Sequence, residues 1–245
     1  MGGTAIEVSA VIDGRRYPRE AVLDWEARRL PRAAAKIGLA VPSGSLERRR
    51  LAFAESKIEL GAEEVRRRLR RDLSISDAIS AATSRLSAGK RVMSVCDLHA
   101  TTGSAAEFVQ WFTDTARPDY VRSMIAANPD HFLIRTAPDG TQEVVETTGG
   151  SPLATRFFVD YTDLSALAST PDGRFTAQAA GVAVSEGGRP IGGVRHQFRD
   201  EPGGFHARLC VEFPRLLAPH MISQHRWHLA AEFSNWIEFA FRRGT

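Results

Sequence analysis

Alternating apolar and polar positions in the second half of the chain predict a series of short strands. After a strand at 91–98, the predicted strands are residues 141–148, 153–161, 174–184, 192–199 and 205–213. The segments between them carry turn sequences such as Asp-Gly, Gly-Gly and Pro-Asp-Gly. Short turns join antiparallel strands, whereas parallel strands need long crossovers, so the pattern predicts an antiparallel sheet.

Apolar positions at helical spacing predict helices before, between and after these strands. The predicted helices are residues 19–37, 46–69, 76–86, 105–112, 120–127 and 216–241. Pro31 should break or kink the first helix, because proline lacks the N–H that a helix interior needs. Ser45 is the expected N-cap of the second helix. Residues 8–17 are predicted to form two short strands around an Asp13-Gly14 turn.

These elements, taken in order, predict an α+β fold. A curved antiparallel sheet followed by a long C-terminal helix is the arrangement of helix-grip (Bet v 1/START-like) proteins, in which a cavity opens between helix and sheet. We expect a mainly helical N-terminal region at 1–90 and a helix-grip domain at 91–245 that holds the cavity. Apolar residues from both layers make such a cavity a natural small-molecule site.

Composition limits where the protein works and how it can hold a metal. The chain is 43% hydrophobic and 25% charged, as in ordinary globular proteins, and no apolar stretch approaches the roughly 20 residues of a membrane span. The segment from Met1 to Glu7 has no basic stretch leading into an apolar run, so we expect no secretory signal. Cys96 and Cys210 fit a reducing compartment and exclude a cysteine-rich zinc module. We therefore expect a cytoplasmic protein without a membrane partner.

Basic residues are concentrated towards the N-terminus. Residues 1–91 carry 19 Lys or Arg against 12 Asp or Glu, a net charge of +7, and residues 92–245 carry 13 against 17, a net charge of −4. The arginine-rich run at 66–71 could face the phosphates of a nucleic acid. However, glutamates lie beside it at helical spacing, and no aromatic residue is interleaved for base stacking. The pattern favours a solvated helix face, and no nucleic-acid partner is expected.

The last predicted helix carries a polar stripe beside its apolar face. The stripe contains, at spacings of three, four and three residues, His225, His228, Glu232 and Asn235. A carboxylate next to an apolar face must be exposed, paired or bound to metal, because burying it alone is too costly. His228 and Glu232, one turn apart, can bind one divalent metal ion. The same spacing also occurs in ordinary boundary pairs on amphipathic helices.

Two residues near the predicted sheet extend the metal hypothesis. His131 lies just before the 141–148 strand, and Glu146 lies within that strand, where alternate residues face opposite sides. If Glu146 faces the cavity, it and His131 can join His228 and Glu232 around one ion. Two neutral imidazoles and two carboxylates give a divalent ion a near-neutral site, with Zn2+ the first expectation and Fe2+ or Mn2+ alternatives.

Several segments between about residues 93 and 241 match one enzyme family in order. The most specific match is the segment 228–235, with the sequence HLAAEFSN, and weaker matches lie at 104–112, 128–131, Glu146 before Gly149-Gly150, and 196–208. With these segments the chain resembles the diacetylphloroglucinol hydrolase and phloretin hydrolase family. Members are zinc-dependent and cleave a carbon-carbon bond between an acyl group and a phenolic ring. The resemblance implies a hydrolase for a small-molecule aromatic ketone, and a homodimer is expected.

The resemblance also assigns roles to single residues. It implies one Zn2+ per chain, held by His131, Glu146, His228 and Glu232. It implies an active-site histidine at His196, and Asn235 is expected to support the ligands from behind. His99 and His206 are expected to be ordinary strand histidines, and no counterpart supports a role for His225.

The chain departs from the family pattern in ways that concern the substrate. The interval from His131 to Glu146 is short for the family, which predicts a trimmed loop over the site. Tyr120 is an approximate counterpart of a tyrosine that contacts phenolic hydroxyls, and a second such tyrosine is replaced near Val211. A pocket built to hydrogen-bond a group discriminates strongly by that group, so these losses predict a different ketone.

A metal-free interpretation of the same pattern stays open. A helix-grip binding protein or cyclase for an aromatic polyketide-like or lipid-like ligand would use His228 and Glu232 only as hydrogen-bonding groups in the cavity. The two hypotheses differ in one measurable property, since only the hydrolase needs a metal ion.

Overall fold

Nine strands form one curved antiparallel sheet in the computed structural model, which describes residues 6–242. In chain order the strands are β1 Val8–Ile12, β2 Arg15–Tyr17, β3 Arg91–Ala100, β4 His131–Thr136, β5 Gln142–Glu146, β6 Thr155–Asp160, β7 Ala177–Val184, β8 Pro190–Glu201 and β9 Gly204–Pro214. Across the sheet they follow the order β2-β1-β3-β9-β8-β7-β6-β5-β4. The predicted antiparallel sheet is confirmed.

Six α-helices accompany the sheet within the described residues. They are α1 Arg19–Ile37, α2 Leu46–Leu60, α3 Ala62–Ser87, α4 Ala105–Thr113, α5 Tyr120–Ala126 and α6 Pro219–Phe241. Ser45 caps α2 as expected, because its side chain accepts a hydrogen bond from the Arg48 backbone N–H. The α+β class and the long C-terminal helix are therefore confirmed.

The structure corrects the predicted elements at three places. The helix break falls at Gly61, where φ is +78°, so α3 runs without interruption through residues 70–75. Pro31 does not break α1, because it lies on the exposed side while Leu30 and Ala33 beside it are buried, and their packing offsets the lost hydrogen bond. The strand β4, which begins at His131, is not among the strands predicted from the sequence.

The N-terminal hairpin and the later strands share one sheet, since β1 pairs with β3. The division of the chain at residue 90 stays a prediction. None of the helices within residues 6–242 is both long enough and apolar enough to cross a membrane. Residues 1–5, which include most of the segment used to argue against a secretory signal, lie outside the described residues.

Aromatic side chains hold α6 against the sheet and α4. Phe233 of α6 lies 6.3 Å from Phe108 of α4 and 4.8 Å from Trp236, measured between ring centroids. Phe108 in turn contacts Phe198 of β8 and Phe205 of β9, at 5.2 and 5.7 Å. Full burial of one such side chain contributes roughly 1.5–3 kcal/mol, so this cluster fixes the position of α6.

Buried ion pairs attach the N-terminal helices to the segment that leads into β4. Arg29 of α1 donates two hydrogen bonds to Asp130, at 2.7 and 2.6 Å. Arg50 of α2 pairs in the same way with Glu26 of α1, at 2.7 and 2.8 Å. Both carboxylates are fully buried. Removing one partner of a buried pair costs roughly 3–5 kcal/mol, so Arg29 holds the start of β4 firmly and Arg50 holds α2 against α1.

Lys57 of α2 holds the same segment through its backbone. Its Nζ donates to the His131 carbonyl oxygen at 2.6 Å and to that of Pro129 at 3.4 Å. The amine is buried over the Phe53 ring, 4.4 Å from the centroid. Burial lowers the pKa of Lys57 to about 7, although Asp130 and Glu26 oppose the shift.

Gly149 lets the turn after β5 approach α6 closely. Its φ is +55°, and a Cβ at this position would lie 2.4 Å from the Met221 carbonyl oxygen.

We predict that Gly149→Ala lowers the free energy of unfolding by about 2–5 kcal/mol, from backbone strain and overpacking. Gly140→Ala is the matched control, because φ is +87° there but no atom lies within 4 Å. It should lose only about 1–2 kcal/mol in urea denaturation, and equal losses would contradict the prediction.

The lowered pKa of Lys57 predicts a stability that rises with pH. The folded-state pKa of about 7 lies below the ordinary 10.5, so between these values the unfolded state binds more protons. The unfolding free energy of the wild type, relative to Lys57→Met, should then increase by up to about 1.4 kcal/mol per pH unit above pH 7. Urea denaturation of both proteins across this range measures the difference.

A variant of an exposed lysine separates the contribution of Lys57 from other changes in the unfolding free energy at alkaline pH. Lys90 is exposed at the end of the turn after α3, and Lys90→Met should follow the pH dependence of the wild type. A stability difference between wild type and Lys57→Met that stays constant from pH 7 to about pH 10 would show that the Lys57 amine is charged in the folded protein.

Candidate metal centre

The four side chains predicted as metal ligands meet at one place in the structure. His131 begins β4 and Glu146 ends β5, and the register of these antiparallel strands pairs the two residues directly. His228 and Glu232 lie one turn apart on α6. All four residues are buried, with at most 7% of their surface exposed. The sheet and the helix thus each contribute one histidine and one carboxylate.

The distances from each histidine to the other three side chains suit a single ion, and ligand atoms of His131, Glu146 and His228 all lie within 4.8 Å of one another. His131 Nε2 lies 2.9 Å from Glu232 Oε2 and 3.2 Å from His228 Nε2. Glu146 Oε2 lies 3.6 Å from Nε2 of both histidines, and Glu232 Oε2 lies 3.5 Å from His228 Nε2. Ligand atoms about 2.0–2.2 Å from a tetrahedral Zn2+ are themselves roughly 3.4 Å apart, which is close to these values.

The second ring nitrogen of His131 determines which atom can bind a metal. His131 Nδ1 lies 3.0 Å from the Met124 carbonyl oxygen, which can only accept, so Nδ1 carries the proton. In the neutral ring Nε2 is then a bare nitrogen that faces the Glu232 carboxylate. Two acceptors this close repel one another unless a cation lies between them. The donor set therefore fits a divalent metal, with a carbonyl orienting the histidine as in known metal sites.

The charges of the cluster depend on one another. Burial lowers the pKa of His228, but Glu146 and Glu232 outweigh burial and raise that pKa to about 10. Burial alone would raise the pKa of the Glu146 and Glu232 carboxyls. The attraction of the histidines is larger, so both pKa values lie below their usual range. The two buried carboxylates thus require positive charge beside them, which either a proton on the imidazoles or a metal cation supplies.

His228 is supported differently from His131. Its Nδ1 has no hydrogen-bond partner within residues 6–242. The ring stacks instead on His225, with centroids 5.4 Å apart and planes 9° from parallel. His225 Nδ1 lies 2.9 Å from the Ser94 hydroxyl, which fixes the His225 ring, and the stacked rings position His228 in turn. His225 also lines the cavity beside the cluster.

Asn235 connects α6 with the helices behind the cluster. Its amide nitrogen donates to Glu26 Oε2 at 3.0 Å and to the Ala127 carbonyl oxygen at 2.7 Å, and its Oδ1 accepts from Arg19. These bonds join α6 to α1 and to the end of α5. The predicted supporting role of Asn235 stays a prediction, but its partners link α6 to the buried ion pairs.

A cavity of about 170 Å³ opens from the four ligands, between the sheet, α6 and α3. Its walls are mostly apolar, and the apolar side chains include Phe112, Ile134, Val144, Phe157, Val159, Val194, Val211 and Phe233. On the α3 side the lining residues are Ile79, Ser80 and Thr83, of which Ile79 is 47% exposed. A concave apolar site with a few convergent polar groups is the usual form of a small-molecule pocket.

His196 reaches the same cavity from β8. Its ring lies against Phe233, with centroids 4.6 Å apart, and only 4% of the residue is exposed. Its Nδ1 is buried without a hydrogen-bond partner in the described part of the chain. Burial lowers the pKa of His196 to about 4, although Glu232 opposes the shift. The structure therefore places a neutral imidazole with an available nitrogen beside the cluster.

Tyr120 lies outside this cavity, in an adjoining pocket. Its ring is buried beside Arg117, and its hydroxyl accepts a hydrogen bond from Gln142 Nε2 at 2.8 Å. Gln142 Oε1 in turn accepts from the Tyr161 hydroxyl at 3.2 Å, and both Gln142 and Tyr161 line the cavity. Tyr120 thus reaches the site only through Gln142, and a substrate contact for Tyr120 stays a prediction.

Sequence reasoning missed Gln142 and Tyr161 as polar groups of the cavity. Both follow the strand alternation, since Gln142 alternates with Val144 and Glu146 on β5 and Tyr161 lies two residues after Val159 of β6, and all of these residues line the cavity. The signal that could have identified them was therefore their position in this alternation.

Comparison with known proteins does not place the chain in a family. No family model matches it, and no curated protein matches it either. The resemblance to the diacetylphloroglucinol and phloretin hydrolases therefore stays a prediction from the residues quoted above.

Proposed function

We propose that the protein is a metal-dependent hydrolase that cleaves a carbon-carbon bond in an acylated phenol or a related β-diketone. The observation that carries this proposal is the convergence of two histidines and two glutamates on an apolar cavity. The proposal includes a helix-grip fold, with α6 gripped by the curved sheet. It also includes one Zn2+ per chain, held by His131, Glu146, His228 and Glu232, with Fe2+ or Mn2+ as alternatives.

The proposed reaction adds the elements of water across the bond between an acyl carbon and a ring carbon. When bound, the metal would lower the pKa of a coordinated water from 15.7 towards about 7 and polarise the acyl oxygen. The water oxygen attacks the acyl carbon, and the bond to the ring carbon breaks. The electron pair passes to the ring carbon, which a polyhydroxylated ring in its keto form stabilises as an enolate. Protonation of that carbon gives a carboxylic acid and the deacylated ring.

His196 is the residue that we assign to proton transfer. A neutral imidazole carries one N–H and one bare nitrogen, so it can accept a proton from one group and donate another elsewhere. The lowered pKa of His196 keeps it in this form near neutral pH. Its place in the cavity wall supports transfer of the proton from the attacking water to the ring carbon.

The remaining cavity residues favour an aromatic ketone as the substrate. Phe112, Phe157 and Phe233 supply flat apolar surfaces for a ring. Gln142 and Tyr161 supply the hydrogen-bonding groups on the sheet side, suitable for a ring hydroxyl or a second carbonyl. We infer that the substrate has its reacting carbonyl next to the four ligands and its ring between these aromatic side chains.

Zinc binding tests the metal centre. Protein treated with a chelator and then titrated calorimetrically with Zn2+ should show a tight binding event of one equivalent. His228→Ala should abolish this event, because it removes one ligand and leaves the two carboxylates without their strongest partner. Glu232→Gln should weaken it while keeping the shape of the side chain.

His220→Ala is the matched control for the zinc titration, since His220 lies exposed at the start of the same helix. It should bind zinc as the wild type does. If folded wild-type protein shows no tight event, the metal centre is disproved. Binding of aromatic ligands by that metal-free protein would then favour the binding-protein or cyclase interpretation.

Activity towards an acylphloroglucinol and a linear β-diketone tests the role of His196. With product acid and deacylated ring followed by chromatography, His196→Ala should lower kcat by about 10²–10⁴-fold, the usual contribution of a proton-transfer group. The variant should still bind zinc as tightly as the wild type. His196→Gln fills the same space without titrating, so wild-type activity in that variant would show that His196 only packs or hydrogen-bonds.

A further inference from the structure

A second group of histidines and carboxylates lies on the face of the sheet opposite α6. Alternate residues of β3 are buried toward α6, which places Asp97 and His99 on the other, outer face. His206 of β9 is the direct cross-strand partner of His99. Glu201 lies at the end of β8, in the hairpin that leads into β9. Three neighbouring strands therefore contribute to this outer cluster of Asp97, His99, Glu201 and His206.

The nitrogen and oxygen atoms of the outer cluster converge. His99 Nδ1 lies 2.9 Å from Glu201 Oε2, and His206 Nδ1 lies 3.6 Å from Glu201 Oε1. The two imidazole rings stack with centroids 4.4 Å apart and planes 18° from parallel, so one ring must turn for both in-plane nitrogen lone pairs to aim at one ion. One ligand atom from each of these three residues lies within 4.8 Å of the other two. Direct cross-strand neighbours have Cβ atoms about 4.5–5.5 Å apart, so two histidines in such a pair can bind one ion.

Asp97 determines the tautomer of His206. His206 Nε2 lies 2.8 Å from Asp97 Oδ1, and because the carboxylate accepts, Nε2 carries the proton and Nδ1 is bare. Nδ1 is buried, and nothing in the described residues hydrogen-bonds to it. His206 is 9% exposed, so this nitrogen has been removed from water without a protein partner. A metal-binding histidine usually donates the N–H of one ring nitrogen to a carboxylate. Its second ring nitrogen is then free to bind the metal.

The arginines around the outer cluster are already paired with carboxylates. Arg199 donates to Glu201 Oε1 at 2.9 Å, and Glu201 Oε2 lies 2.9 Å from His99 Nδ1, whose proton a bound ion would replace. Arg174 is bonded to Asp172, and Arg208 lies 3.6 Å from the same carboxylate. The three arginines are matched in number by the carboxylates of Asp97, Asp172 and Glu201, so they leave no net positive charge here that would exclude a cation.

We propose that His99, His206 and Glu201 form a second metal site, for a divalent transition-metal ion such as Zn2+, with Asp97 positioning His206. Two imidazoles and one carboxylate are ligands that suit zinc, copper and nickel. Three protein ligands leave one coordination position for water or an added ligand. The site is independent of the proposed hydrolase activity, since it lies on the other face of the sheet.

The outer site should exchange its ion more readily than the buried centre. The side chains of His99 and Glu201 are 27% and 29% exposed, whereas those of His131 and Glu232 are 1% and 10% exposed. A bound ion would tie β3, β8 and β9 together. It would therefore raise the melting temperature further as the free ion concentration increases above the dissociation constant.

Calorimetric titration of chelator-treated, full-length protein with Zn2+ tests the outer site. To remove the buried centre from the measurement, the titration is made on His228→Ala protein, which should still bind about one equivalent. Adding His99→Ala and His206→Ala should abolish that binding and the zinc-dependent rise in melting temperature. Adding Asp97→Ala instead should weaken binding by about 10–100-fold, the usual effect of losing the partner of a metal-binding histidine.

Two further titrations keep the test decisive. His220→Ala, added to the same His228→Ala protein, removes an exposed histidine and should leave zinc binding unchanged. If the His228→Ala protein does not fold, the wild type and the His99→Ala/His206→Ala variant are compared, and the weaker of two binding events should disappear. Zinc binding that is unchanged without His99 and His206, or absent from folded His228→Ala protein, would overturn the proposal.

Discussion

The burial of two carboxylates beside the same pair of histidines is the constraint on which the rest of this structure depends. Glu146 and Glu232 are 6% and 7% exposed, and burying such charges without partners is prohibitively costly. His131 and His228 lie between them and supply either protons or metal-binding nitrogens. Sheet and helix must therefore keep these four side chains in contact with one another. The aromatic packing of Phe233 and the close approach at Gly149 maintain that register.

The N-terminal helices maintain the same geometry from behind. Arg29 holds Asp130, the residue before His131, and Lys57 holds the His131 carbonyl oxygen. Glu26 connects this layer to α6, because its carboxylate accepts from both Arg50 and Asn235. Part of the basic excess of the first 91 residues is thus used inside the protein. The arginines at 67 and 68 pair with Glu64 on the same helix, as expected for a solvated face.

Strand alternation explains how one sheet can carry two different polar clusters. On β8, His196 faces the cavity, whereas Arg199 and Glu201 face the outer side. On β9, Val211 lines the cavity and His206 lies on the outer side next to His99. The inner cluster is buried beneath α6, so little solvent screens its charges from one another. The outer cluster is partly open to solvent, where charges are screened and bound ions exchange more freely.

Local pattern determined the strands, most of the helices and the His228 and Glu232 pair, because periodicity and turn chemistry act over a few residues. It missed β4, whose short apolar run follows Pro129 without alternation, and it placed the helix break beyond Gly61. Because β4 was not predicted, only the structure showed that β4 and β5 form a hairpin in which His131 pairs with Glu146. Tertiary packing likewise placed Tyr120 behind Gln142 and brought His99 together with His206, 107 positions later in the chain. The charges of these groups depend on burial and neighbours, which sequence spacing does not specify.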